Sequence, residues 1–346
     1  MDFSKLNATA TNGYSLRLRT IDSHTEGEPT RLIVSGFEAV PGDTMKDKLS
    51  YYKNNLDHIR HLMTWEPRGH RHLLAAQVTE PATEGAHFGL IYMDARRYPF
   101  LCGHATIGAV TTLVEIGAIR LEEPVATVIV DTPSGPMSTR VHMKNGRVQG
   151  VTMRMVPSFV YETELPLKVP KWGEVRVDTV CVGGFFVMVS SDQLPLALVP
   201  ENHAQLIEMG MTIIEMANEQ LTVSHPTRSE VASIDVVEFY QTSKSGGEKG
   251  KSIVIYGESH MDRSPCGTGT TAKMTLLHRQ GKLSLNEPYY NCGPLGTTFK
   301  GRIVREDVSI GDCKGVEIEI TGKALITGFH EFVLEVADPF QKGFLL

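Results

Sequence analysis

Two stretches of this chain repeat each other, and the repeat limits what it can fold into more than any other feature. CGHATIGAVTTLVEIGAI begins at Cys102, and CGTGTTAKMTLLHRQGKL begins at Cys266. Laid side by side without gaps, they share Cys-Gly, then Thr106 with Thr270, Thr111 with Thr275, Leu113 with Leu277 and Gly117 with Gly281. Each reads as a turn, a cysteine, a helix and a C-terminal glycine. Each also follows a strand-like run, FGLIYMD in one case and SIVIYGES in the other. With 346 residues there is room for two domains of ordinary size. The expectation is two related halves, each presenting a cysteine at a helix start.

The remaining pattern alternates short strands with a few helices. LRLRTIDSH and TRLIVSGF read as strands around a Gly/Glu turn, and HFGLIYMD, VATVIVDTP, SIDVVEFY, SIVIYGES, GVEIEITG and EFVLEV as further strands. VRVDTVCVGGFFVMVSS reads as a strand pair broken by glycine. Helical spacing over residues 45–65 places Leu49, Tyr52, Leu56, Ile59 and Met63 on one side. A second helix is expected at 205–221, and its apolar stripe belongs in a core. SKSGGEKGKS, residues 243–252, reads as a polar hairpin connection.

Composition excludes several classes. Hydrophobic residues are 41%, charged residues 21% and the net charge is −6, so neither nucleic acid nor a membrane surface is an expected partner. No apolar run is long enough to span a bilayer. The opening stretch MDFSKLNATATNGYSLRLRT lacks the charged start and apolar middle of a secretory signal, so the expected location is cytoplasmic. The five cysteines are odd in number and never spaced C-x-x-C, which speaks against a disulfide framework and a zinc ribbon. His24, His70 and His72 with Glu26 and Glu28 fit no metal-ligand spacing and read as structural hydrogen-bonding groups; Glu66 and Arg68 read as a structural ion pair. The glycine-rich C-G-T-G-T-T has no G-K-[ST] ending, and G-x-G-x-x-G is absent, so a nucleotide site is not expected.

What remains is the chemistry of a thiol at a helix start. The first N–H groups of a helix have no partner within it, and with the helix dipole they favour negative charge. A cysteine there is a reactive sulfur beside a seat for a carboxylate, and the neighbouring glycine lets that carboxylate approach the backbone. Two such units facing each other would place a substrate α-carbon between two sulfurs. One thiolate could remove the α-proton while the opposite thiol returns a proton to the other face. Most free cysteines are small buried hydrophobes. That reading is kept for Cys181, which alternates like a core strand residue, and for Cys292 and Cys313, which lie in loop-like text. Cys102 and Cys266 differ from these: both have a glycine neighbour, a helix start and a nearby polar group, His104 or Asp262.

At these residues the chain resembles the proline racemase family, which includes proline racemases, 4-hydroxyproline 2-epimerases and trans-3-hydroxy-L-proline dehydratases. The resemblance runs from Ile21 to Leu346. It rests on IDSHTEGEPTR, EPRGH at Glu66, LCGHATIG at Leu101, DTPSG at Asp131, VPSF at Val156, HP at His225, DRSPCGTGT at Asp262, ITG at Ile320 and DPF at Asp338. It implies an α/β, diaminopimelate epimerase-like fold with two pseudo-symmetric halves, each with β-structure around a central helix, and an active site in the cleft between them. Residues 15–158 with 328–346 would form the half carrying Cys102, and 159–327 the half carrying Cys266. The resemblance also implies that Cys102 and Cys266 are the acid and base. The amides of Gly103, His104, Gly267 and Thr268 would hold the carboxylate, Asp262 and His104 would lie near the ring nitrogen, and no cofactor or metal would be needed. A homodimer acting on a small amino acid is the expected assembly.

Dehydratases of the family often carry threonine where Cys266 stands; here both sulfurs are present, which favours two-sided proton transfer. Leu74 and Tyr256 stand where racemases of the family carry ring-packing aromatics, and RRYPFLCGH and NCGPLGTTF also depart from the family pattern. The space beside Leu74 and the Tyr256 hydroxyl suit a hydroxylated ring. The expected activity is racemisation or epimerisation of proline or hydroxyproline, with trans-3-hydroxy-L-proline dehydration as the alternative.

Overall fold

In a computed structural model of the chain, residues 13–242, 249–257 and 259–346 are described. Residues 243–248 of the polar connection and residues 1–12 of the opening stretch lie outside them. Five α-helices are present among the described residues: α1 Met45–Asn55, α2 Asp57–Thr64, α3 Gly103–Glu115, α4 His203–Gln220 and α5 Gly267–Arg279. None is long and apolar enough to cross a membrane.

The strand pairings trace one plan twice. Tyr14–Thr25 and Glu28–Ser35 form an antiparallel hairpin. After α1 and α2, Leu74–Thr79 lies parallel to Glu28–Ser35 and antiparallel to Phe88–Met93. After α3, Val125–Thr132 lies parallel to Phe88–Met93 and opens a meander with Gly135–Lys144 and Arg147–Arg154. The second pass begins with the hairpin Gly173–Val182 and Gly184–Ser190, turned by Gly183 at φ 74°. After α4, Ile234–Gln241 lies parallel to Gly184–Ser190 and antiparallel to Lys249–Tyr256. After α5, Pro288–Cys292 lies parallel to Lys249–Tyr256 and leads into Thr298–Ile310 and Cys313–Gly322.

The two passes are joined at a seam and by an exchange. Arg147–Arg154 runs antiparallel to Cys313–Gly322, so the last meander strand of each pass meets the other. Ser158–Val169 follows the first pass but pairs with Gly173–Val182 of the second. Ala324–Glu335 follows the second pass but pairs along Tyr14–Thr25 of the first. In the second pass the strands close on themselves, with Val316 opposite Ser158.

Each pass wraps one helix. α3 and α5 have 13 residues each, and every residue from His104 to Val114 in α3 and from Gly269 to Leu277 in α5 is buried. A helix buried on all sides cannot carry a polar face; small residues and threonines fill both instead. Several of the threonines return their hydroxyls to the helix backbone, as Thr106 Oγ1 does to Cys102 O at 2.8 Å, Thr271 Oγ1 to Gly267 O at 2.9 Å and Thr275 Oγ1 to Thr271 O at 2.8 Å. Both helices end alike. Gly117 and Gly281 take φ 77° and 69°, and Ile119 N and Lys282 N reach back to Leu113 O and Leu277 O. This is the glycine-ended stop that the repeat predicts.

Two expectations need correction. The helix expected at 45–65 is two, broken at Leu56 (φ −121°, ψ 12°). Asp57 restarts it, because a carboxylate in a first turn suits the helix dipole and here also holds Arg60 at 2.7 Å. Cys292 and Cys313 are not in loops. Cys292 ends the strand Pro288–Cys292 and Cys313 opens Cys313–Gly322, where too few alternating residues remain to signal a strand. Cys181 is 1% exposed within its strand, and α4 buries Leu206, Met209, Ile213 and Ala217 as its apolar stripe requires.

Candidate active site

Cys102 is the N-cap of α3 and Cys266 the N-cap of α5. A helix N-cap is where free N–H groups and the positive end of the dipole converge. Both sulfur-bearing residues line one cavity of about 440 Å³. Gly103, His104, Gly267 and Thr268, the first residues of the two helices, line it too. So do Leu74, Tyr256 and Asp262, which come from three other segments. The cavity therefore brings together every residue that the sequence nominates for the site. Arg71, Asp94, Arg96 and Arg97 add charge to its wall.

The two sulfurs have different neighbours. Cys102 Sγ lies 3.3 Å from His104 Nδ1. Burial works against a charged His104 ring, but Cys102, Glu28 and Asp262 outweigh it and raise its pKa to about 9. Cys266 Sγ accepts from Gly269 N at 3.3 Å and lies 3.4 Å from Thr268 Oγ1. Burial and the Asp262 carboxylate nevertheless push the Cys266 thiol well up. One sulfur has a cationic neighbour and the other an anionic one.

His104 gives a pH prediction with a definite sign. Its folded pKa of about 9 lies above its ordinary 6.5, so folding favours the charged ring. The resulting stabilisation, on the order of 3 kcal/mol, is complete below the ordinary value and disappears as pH rises through the folded one. The difference in unfolding free energy between the parent protein and His104→Gln should shrink steadily from pH 6 to pH ~10 by that amount. A difference that stays constant across this range would rule the assignment out.

Asp262 is 3% exposed. Its Oδ1 accepts from Ser264 N at 2.8 Å and Ser264 Oγ at 2.7 Å, which fixes the turn leading into Cys266. Burial and the Glu28 carboxylate push Asp262 up.

Glu28, His260 and Arg263 were not nominated as site residues by the sequence. Glu28 is fully buried, and it accepts from His260 Nε2 at 3.1 Å, Arg263 N at 2.8 Å and Arg263 Nη1 at 3.2 Å. Burial opposes its charge, but His260, His104 and Arg263 prevail and hold Glu28 below the usual carboxylate range. The His260 ring lies 4.6 Å from that of Tyr256, on the cavity wall. Glu28 thus ties a strand of the first pass to the turn that carries Cys266. The signal was present in GEPT and DRSPC as an acid and a base flanking turns, but the chain separation hid their contact.

Of the other acids and imidazoles expected to be structural hydrogen-bonding groups, His24 is bonded locally and Glu26 to a distant part of the chain, while His72 lines the cavity and its buried Nε2 has no hydrogen-bond partner among the described residues. His24 Nδ1 accepts from Gly27 N, and Glu26 accepts from Lys323 N. Arg68 is paired with Asp338 and not with Glu66, whose carboxylate meets Leu346 N instead. Among the described residues, no three His, Cys, Asp or Glu side chains are grouped to hold a metal ion.

Two matching passes, each wrapped around a buried helix that begins at a shared cavity, make this a protein of the diaminopimelate epimerase-like fold, with two cysteines lining that cavity. More narrowly, the chain belongs to the proline racemase family: the family model described as proline racemase matches residues 20–345. A proline racemase of Clostridioides difficile is 38% identical over 333 residues, covering 96% of this chain and 99% of that protein. A trans-3-hydroxy-L-proline dehydratase of Colwellia psychrerythraea is 32% identical over 331 residues, covering 96% and 93%. Among solved structures, a hydroxyproline epimerase from Agrobacterium vitis with bound trans-4-hydroxy-L-proline matches with a TM-score of 0.86 at 27% identity, covering 97% of this chain and 96% of that one.

Proposed function

We propose that this protein is a racemase or epimerase that needs no cofactor and inverts Cα of a proline-type amino acid, with hydroxyproline favoured over proline. The observation that carries this reading is that two cysteines, each capping its own buried helix, line a single cavity. The substrate carboxylate lies between the amides of Gly103 and His104 and those of Gly267 and Thr268. Its Cα lies between the sulfurs, and its ring nitrogen faces Asp262 and His104.

Cys266, pushed up by burial and the Asp262 carboxylate, holds its proton, and Cys102, 3.3 Å from the His104 ring, acts first as the base. The Cys102 thiolate takes the Cα proton, and the C–H electron pair moves into the carboxylate. Cys266 then gives its proton to the opposite face of Cα. The product is inverted, the sulfurs have exchanged roles, and the other enantiomer runs the same steps in reverse. Helix N–H donors stabilise the charge as it grows on the carboxylate. Leu74 leaves space beside the ring, and Tyr256 can bond a ring hydroxyl.

The test is incubation in D2O with L-proline, trans-4-hydroxy-L-proline and trans-3-hydroxy-L-proline in turn. Optical rotation, Cα deuterium and imine trapped with o-aminobenzaldehyde are followed. Inversion with Cα deuterium is expected, fastest with a hydroxylated ring. Pyrrole-2-carboxylate should compete, because its flat ring resembles the planar intermediate. Imine from the 3-hydroxy compound would assign the lyase reaction instead, the activity named for the dehydratase relative. No reaction with any of the three would overturn both readings.

A further inference from the structure

The two cysteines differ in backbone as well as in neighbours. Cys102 is extended, at φ −143° and ψ 113°. Cys266 sits at φ 60° and ψ 119°, a conformation that a residue with a side chain adopts only when its surroundings impose it. The peptide between Pro265 and Cys266 is held at both ends. Cys266 N donates to Ser264 Oγ at 3.0 Å. On the other side, Pro265 O accepts from Thr270 Oγ1 at 3.1 Å and from Asn291 Nδ2 at 3.3 Å. From outside, Gly293 packs so closely that a Cβ there would lie 2.7 Å from Pro265 N.

Asn291 is fully buried, and an amide can face either way unless its partners forbid it. Here they do. Its Oδ1 lies 3.1 Å from Lys273 Nζ, and an ammonium only donates, so the oxygen must face Lys273 and the NH2 must face Pro265. Lys273 is itself fully buried, with Nζ donating to Gln241 O at 2.9 Å and Lys251 O at 3.0 Å. The nearest carboxylate in the network is Glu238, also fully buried, which accepts from Ser252 Oγ at 2.5 Å; Ser252 Oγ in turn lies 3.4 Å from Nζ. Room for the ammonium comes from Gly250, where a Cβ would lie 2.4 Å from Nζ. In the repeat the counterpart of Lys273 is Ala109, so the device belongs to only one of the two helices.

We propose that Lys273 and Asn291 are positioning residues, Lys273 orienting the Asn291 amide so that it and Thr270 hold the Pro265 carbonyl and keep Cys266 in its unusual pose on the cavity wall. This rests on the reading that Cys266 exchanges a proton with the substrate. Neither residue needs to touch the substrate to act.

The test uses Asn291→Asp, which keeps the acceptor and loses the donor, together with Thr270→Val, Thr270→Ser and Lys273→Met. Iodoacetamide labelling of the substrate-free protein, read by peptide mass spectrometry, gives the ratio of Cys266 to Cys102 alkylation. Near-ultraviolet circular dichroism reports the fold. The ratio should change several-fold in Asn291→Asp and Thr270→Val, with Cys102 labelled at its usual rate and Thr270→Ser close to the parent. In the same variants kcat should fall by roughly 10- to 100-fold with KM little changed, the effect of a misplaced reacting group. An unchanged ratio in folded Asn291→Asp and Thr270→Val overturns the proposal. Should Lys273→Met fail to fold, those two variants still decide it. If the parent protein neither inverts nor exchanges Cα–H, the catalytic reading fails, while the labelling ratio still tests the positioning.

Discussion

Replacing either Cys102 or Cys266 by serine is expected to lower the rate of Cα inversion by roughly 10³-fold or more, in both directions. A positioned proton donor or acceptor contributes on the order of 10²- to 10⁴-fold, and inversion requires two in succession. A serine hydroxyl keeps the shape and hydrogen bonding of the thiol but holds its proton too tightly to serve as the base. The variants should differ in what survives. Each retains one sulfur on one face, so each should still exchange the Cα proton of one enantiomer with D2O without inverting it, and the enantiomer should switch between the two variants. Chiral chromatography gives the inversion rate and proton NMR the exchange. Inversion by either variant within about tenfold of the parent would remove that cysteine from the chemistry.

The second large effect is expected at Glu28. Glu28→Ala removes the buried carboxylate that pairs with both His260 and Arg263 while leaving both in place. Deleting one member of a buried pair costs about 3–5 kcal/mol, and because the Arg263 side chain is 31% exposed the lower end applies. Glu28→Gln keeps an acceptor and should lose less. The sign with pH follows from the depressed folded pKa of Glu28. Its contribution is present above the ordinary carboxylate pKa and is lost as pH falls through the folded one. Urea unfolding of parent and Glu28→Ala should therefore converge on acidification. Since Arg263 adjoins Asp262 and His260 backs Tyr256, KM should rise as well. An unfolding midpoint for Glu28→Ala equal to that of the parent at neutral pH would show that the bridge is ornamental.

The paired helices were legible because their signals are local: Cys-Gly at one end, a left-handed glycine at the other and a regular row of threonines between. The repeat also marked where the site would form, since a helix start is a chemical feature readable without its surroundings. Strand partners were less legible. Ser158–Val169 breaks its own alternation with irregular pairing around Glu162 and a left-handed Glu164, so no two-residue rhythm survives. Gly135–Lys144 and Arg147–Arg154 carry Arg140 and Arg154, which meet Glu319 across the seam, and such polar strands resemble loop text. The Asn145–Gly146 turn between them, at φ 53° and 71°, is the signal that would have disclosed that hairpin. Lys273 was hidden for a different reason. A lysine in a helix ordinarily marks a wet face, and only the carbonyls and amide gathered around its ammonium explain how it can lie inside.

The exchange of strands between the two passes has a consequence for how the chain is made. Ala324–Glu335, which lines the open side of Tyr14–Thr25, leaves the ribosome long after the strand it covers. Until then the earliest-made portion has an unpaired strand edge and a central rod lacking part of its jacket, a state that attracts other chains. Shielding by a chaperone during translation would therefore matter most for the portion synthesised first.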